Sequence, residues 1–138
     1  MKQTITKEQA LATYLSINAD DIEDGYDAGI FDAEGCEYMV LTDDEADQKA
    51  ADYIRETVWA FNADFIAGQS NIDYDAVVTM VKALQDKCEG ANDAITALIV
   101  NMDEFIDDAI GADGRGHFMS SYDGEENEQG EYFIYRLN

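Results

Sequence analysis

The chain of 138 residues has no proline, one histidine, two cysteines and only eight basic residues. Each shortage excludes something. Without proline there is no proline-rich linker to divide the chain. No apolar run approaches the roughly 20 residues that a membrane span needs, and Met1-Lys2-Gln3-Thr4 opens no apolar signal segment. From these features a cytoplasmic location is expected. Cys36 and Cys88 allow at most one bridge, and nothing marks secretion, so both are expected as reduced, small core residues. There is no CxxC and no His–Cys cluster, which leaves zinc without a ligand set. Eight dispersed bases among 31 acids cannot neutralise phosphates, so direct DNA or RNA binding is excluded.

What remains is acid and apolar residues. The formal net charge is −23 and apolar residues make up 46% of the chain. That apolar share suits one folded domain over residues 1–138 rather than a disordered chain. The acid is not a tail: residues 1–69 hold 16 acids and 4 bases, and residues 70–138 hold 15 and 4. Ordinary solubility needs a charge magnitude of about 2–8 in a small domain. The excess therefore points to adaptation to high salt, or to a partner with a basic surface. A solubility charge remains the plain alternative.

Local patterns predict a single α+β domain, with about four helices packed with two short β-hairpins that form a small antiparallel sheet. Thr6-Lys7-Glu8-Gln9 fits a capping box and opens a helix to about Ser16. The acidic stretch Asn18 to Asp27 reads as a loop with one helical turn. Two β-prone runs, 29–33 and 36–41, flank Glu34-Gly35 as a hairpin. Thr42-Asp43-Asp44-Glu45 is a second capping box and opens a helix to about Phe61. Ala46, Ala50, Ile54 and Val58 fall on its apolar face, with Glu45, Asp52, Glu56 and Trp59 on the acidic side. A helix from Asn71 or Asp73 to Gly90 turns Val77, Val78, Val81, Leu84 and Cys88 inward.

A last helix is expected over 91–110. Asp93, Asp103, Glu104, Asp107 and Asp108 cover the side opposite its apolar stripe, and its C-terminal end is acidic, against the helix dipole. After a glycine-rich loop, 111–116, residues 117–122 and 131–137 read as strands. Glu125, Glu126 and Glu128 lie in the acidic turn between them. The two glycines flanking Arg115 imply a close backbone approach or a positive φ. Arg115 and His117 are expected to hold this hairpin against acidic neighbours.

No spacing supports catalysis. Aligning Asp20 and Gly25 to a calcium loop puts Ile22 at the third position and Phe31 at the twelfth, so the match fails. His117, Ser120, Ser121 and Asp123 suggest a triad by type, but residues along one strand do not converge. Arg115 sits in a loop without the lysine and following helix that a phosphate cradle needs. No catalytic, metal or cofactor site is therefore expected. The acids can act in another way. Carboxylates at i, i+3, i+4 and i+7 recur every few ångströms along a helix, and duplex DNA carries a charge per roughly 1.7 Å of axis. Two acidic helices and the 125–128 loop would then present phosphate-like rows.

The segment Asp113 to Glu128, with Gly114-Arg115-Gly116-His117-Phe118 and Ser120-Ser121-Tyr122-Asp123-Gly124-Glu125-Glu126, resembles the tail of small acidic proteins encoded by bacteriophages and other mobile elements. The ending Tyr132 to Asn138 and the segment Tyr38 to Asp47 are similar to theirs too. That group has no established activity and supplies no site residues. The resemblance implies a phage setting, where acidic inhibitors of host nucleases, anti-restriction and anti-CRISPR proteins among them, are a known strategy. The expectation is a DNA mimic that occupies a basic nucleic-acid-binding surface of a host nuclease or CRISPR effector. The alternative is an acidic adaptor or regulatory binding protein without mimicry. The candidate contact residues are Glu45, Asp52, Glu56, Trp59, Asp103, Glu104, Asp107, Asp108, Glu125, Glu126 and Glu128.

Overall fold

The computed structural model describes residues 5–138; Met1–Thr4, the polar opening noted above, lie outside them. The fold is α+β, with seven α-helices and one five-stranded antiparallel sheet among the described residues. These residues form two compact units. One takes in the chain up to Ala50 and again Asp113–Asn138; the other is Ala51–Ala112.

The first unit carries the sheet. Helix α1 (Lys7–Leu15) begins at the expected capping box: Thr6 Oγ1 accepts from the Gln9 N–H and Gln9 Oε1 accepts from the Thr6 N–H. After one 3₁₀ turn come β1 (Glu23–Asp24), β2 (Ile30–Ala33) and β3 (Cys36–Thr42). The β2–β3 hairpin pairs Ala33 with Cys36 around Glu34-Gly35, as the sequence implied. Near the C-terminus, β4 (Asn127–Gln129) pairs with β5 (Tyr132–Arg136), and β5 joins the first hairpin through β3. The strand order is β1-β2-β3-β5-β4. Period-2 alternation puts Phe31, Ala33, Tyr38, Val40, Tyr132 and Ile134 into one buried cluster with Ala10 and Leu11 of α1. Both edge strands are short and acidic, which blunts pairing with another chain.

The tail corrects the sequence reading. Residues 115–119 form a short helix, α7 (Arg115–Met119), not a strand. The strand that pairs with β5 comes instead from the stretch read as an acidic turn. The glycines explain the change. Gly114 has φ +82°, which resets the chain direction. A Cβ on Gly116 would lie 2.5 Å from the Gly124 carbonyl oxygen. Residues 124–126 therefore lie against the α7 backbone, and Glu128 enters the sheet.

The second unit is helical. Helix α2 (Asp43–Glu56) starts at the predicted Thr42 box and runs from the first unit into the second. It ends at Glu56, short of the expected Phe61. Asn92 donates to the Arg55 carbonyl and accepts from the Trp59 N–H, while Gln85 donates to the carbonyls of Trp59 and Phe61. These distant amides stabilise a 3₁₀ turn at Val58–Ala60 in place of further α-helix.

Helix α3 (Ala63–Gly68) packs on α4 (Tyr74–Gln85), which Asp73 caps through the Ala76 N–H. Val77 and Val81 are buried, but α4 stops before Cys88, which is exposed. Cys36 is half-buried at the margin of the core, with Arg136 Nη2 3.2 Å from its sulfur, so only Cys88 departs fully from the core position expected. The helix expected over 91–110 is two: α5 (Asn92–Thr96) and α6 (Met102–Asp113). Phe105 of α6 meets Phe61 and Phe65 edge-on, with ring centroids 5.0 and 5.1 Å away. No helix among the described residues is long and apolar enough to cross a membrane.

Candidate partner-binding surface

Every Asp and Glu is exposed except Glu8 and Glu37, which are half-buried. The candidate acids fall into distinct settings.

In the second unit, the break before α6 moves the 103–108 acids from a helix C-terminus to an N-terminus. Asn101 accepts from the Glu104 N–H, and Asp103 and Glu104 occupy the first turn. There the dipole stabilises them, by about 0.3–1 kcal/mol each, so the expected conflict is absent. Asp107 and Asp108 follow one turn later and remain exposed. The i,i+4 pairs 103–107 and 104–108 put like charges side by side, a penalty of about 0.2–0.5 kcal/mol per pair. Arg55, in the last turn of α2, lies 3.4 Å from Asp52 and 3.7 Å from Asp103 of α6. Asp108 accepts from the Gln69 amide at 2.8 Å. The side chain of Asp103 is 88% exposed. Glu56, the last residue of α2, is also exposed.

Trp59 does not continue the Asp52–Glu56 stripe. Because α2 has ended, it sits half-buried on the 3₁₀ turn and lines a cleft with Phe61, Asp64, Lys82 and Gln85.

In the first unit the candidates are more committed to the fold. Glu45 accepts from the Thr42 N–H and pairs with Lys7 at 2.9 Å, contacts that hold its carboxyl below the usual range. Glu126 is bound by Arg115 and by the Tyr135 hydroxyl. The Arg115 side chain is only 11% exposed. It reaches Glu126 and Asp43 at 2.8 Å and Asp47 at 2.9 Å, and lies 4.7 Å from the centre of the Phe133 ring. Burial opposes its charge, but its hydrogen bonds to the three carboxylates outweigh that and strengthen protonation. Arg115 is thus the staple the sequence suggested, joining α7, α2 and the 125–128 segment. Tyr135 is pushed upward by burial and then by Glu126. Of the three acids in this segment, Glu125 and Glu128 are exposed, whereas Glu126 is held in the ion pair with Arg115.

The remaining tail residues do not assemble a triad. Ser120 is buried; its hydroxyl meets Asp123 and the Arg136 carbonyl. The Glu125 N–H and then the Ser120 hydroxyl hold Asp123 below its usual carboxylate range. His117, expected to hold the tail together with Arg115, is instead exposed, its ring edge-on to Phe118, so Arg115 alone is the staple.

One acidic row was not foreseen. The register sets Glu23 opposite Asp32 and Asp32 opposite Glu37 across three adjacent strands. Neighbouring strands are about 4.8 Å apart, and like charges directly opposite destabilise a sheet. The sequence signal was present in all three acids, but their alignment required β1, which lay in a stretch read as loop.

No family model matches the chain, and neither a curated protein nor a solved structure matches it.

Proposed function

We propose that the protein is an acidic inhibitor of the DNA-mimic type, phage-encoded, that occupies a basic nucleic-acid-binding surface of a host defence complex. The observation that carries this reading is the placement of the acids. None is buried, and several stand beside one another at a cost in like-charge repulsion: Glu23–Asp32–Glu37 across the sheet, and Asp103–Asp107 with Glu104–Asp108 on α6. A surface selected only for solubility needs a smaller charge. Dense carboxylates attract a basic groove, raise the association rate and orient the encounter. The resemblance of the tail to acidic phage proteins supports the same setting, with an anti-restriction or anti-CRISPR target as the class of partner.

The contact surface under this reading is centred on α6, with Asp52, which shares Arg55 with Asp103, and Glu56 at the end of α2, and Glu125 and Glu128 as a further patch. Glu45 and Glu126 serve the fold instead. The test is the association rate with a basic partner isolated from host extract, measured across a salt series. Replacing Asp103, Glu104, Asp107 and Asp108 by amides should slow association and flatten its salt dependence. Equal rates for parent and variant at every salt concentration would remove α6 from the contact surface.

A further inference from the structure

We infer that the cleft beside Trp59 receives an arginine side chain of the basic partner. This inference rests on the reading above and names what part of the partner is gripped. The cleft lies within the helical unit, has a volume of about 510 Å³ and is lined by Trp59, Phe61, Asn62, Asp64, Lys82 and Gln85.

Its floor is built for stability. Gln85 ties down the carbonyls of Trp59 and Phe61, and Asn92 holds the Trp59 N–H, so the indole is carried by a turn fixed at both ends. The indole is half-buried rather than sealed in the core. Trp is the best aromatic partner for a guanidinium, and arginine adds an aliphatic stem to cover an apolar wall. Asp64 stands on the rim, its own N–H bonded to Asn62 and its carboxylate meeting the Tyr74 hydroxyl. It offers the acceptor that a guanidinium needs. Lys82 opposes this from the same rim. The field of a chain with charge −23 favours a cation nonetheless. The two rim charges give the inference a definite sign. An arginine should be bound less well without Asp64 and better without Lys82.

Trp59 is the one tryptophan, so its indole N–H gives a single resonance and its fluorescence reports the cleft directly. The probe is the capped peptide acetyl-Gly-Arg-Gly-amide, titrated into the full chain at physiological salt, with acetyl-Gly-norleucine-Gly-amide as the apolar control. The arginine peptide should shift the indole resonance saturably while the norleucine peptide does not. Asp64→Gln or Asp64→Asn should weaken the arginine probe by about two- to fivefold, and Lys82→Gln should tighten it by a similar factor. Both positions are exposed, and circular dichroism checks that each variant is folded. No saturable shift, equal shifts from both peptides, or an affinity unmoved by either rim substitution would overturn the inference. The α6 amide variants address the proposed function separately, because they are measured against the whole partner and leave this cleft intact.

Discussion

Removing the Arg115 guanidinium tests how the tail is held. Arg115→Met keeps most of the aliphatic stem and deletes the charge. Four hydrogen bonds go with it, to Glu126, to Asp47, and to the carboxylate and carbonyl of Asp43. The carboxylates of Asp43 and Asp47 are 67% and 63% exposed, so they regain water when the partner leaves. Each of those pairs contributes about 0–1 kcal/mol. Glu126 is 29% exposed and also faces the buried Tyr135, so it regains less water. A hydrogen bond between charged groups in such a setting is worth about 1.5–3 kcal/mol. The stacking on Phe133 adds about 0.5–1 kcal/mol. Methionine recovers part of the packing, leaving a net loss of about 2–4 kcal/mol. At roughly 3–5 °C per kcal/mol for a chain of this size, the melting temperature should fall by on the order of 10 °C. Thermal melts followed by circular dichroism and calorimetry measure it, with Arg115→Lys expected between parent and Met because an ammonium cannot span three carboxylates. A melting temperature within about 2 °C of the parent, the range of an ordinary surface substitution, would refute the staple.

Gly116→Ala should be more damaging than its chemistry suggests, by about 3 kcal/mol or more, since the new methyl meets backbone rather than a movable side chain; a denaturant melt reads it, and a loss below about 1 kcal/mol would contradict that close approach. His117→Ala should leave stability within about 0.5 kcal/mol, because the ring is exposed; a large fall in melting temperature would show a buried role. Tyr135 has its phenol raised in the fold, so its contribution is fully present below the ordinary tyrosine range and is lost as pH climbs above about 10, where the unfolded chain ionises first. Tyr135→Phe should therefore flatten the alkaline loss of stability in melts from pH 8 to 11, and an unchanged slope would contradict the assignment. Glu45 and Asp123 are depressed, so their contributions hold above the ordinary carboxylate range and disappear as pH falls below it. Glu45→Gln should reduce the acid sensitivity of melts below pH 5, and an acid limb identical to the parent's would argue against that role.

The parts legible in the sequence are those governed by neighbours in the chain. Thr6 and Gln9, Thr42 and Glu45, and Asp73 before α4 each announce a helix start by a hydrogen bond spanning three residues. The 30–42 hairpin is equally local, two β-prone runs around a two-residue turn. Helix ends proved less legible because partners remote in sequence set them. Asn92 and Gln85 decide where α2 stops, and no periodicity within 43–61 contains them. The 91–110 stripe has a sound helical period, but Asn101 offers a cap that restarts the helix at Met102. That break reverses the meaning of Asp103 and Glu104, from acids opposing a dipole to acids supporting one. Of the candidate surface, the exposure of the acids was legible from their charge. The diversion of Glu126 to Arg115 and the Glu23–Asp32–Glu37 alignment depended on pairings that only the folded chain creates.

Under the proposed function the acids stand in for nucleic-acid phosphates on a basic partner. The direct measurement is competition: the partner isolated from host extract is loaded with labelled duplex DNA, and this protein is titrated in at fixed physiological salt. Mimicry is expected to displace the duplex stoichiometrically, with the α6 amide variant displacing it more weakly. A stable ternary complex, with protein and duplex bound to the partner together, would contradict it.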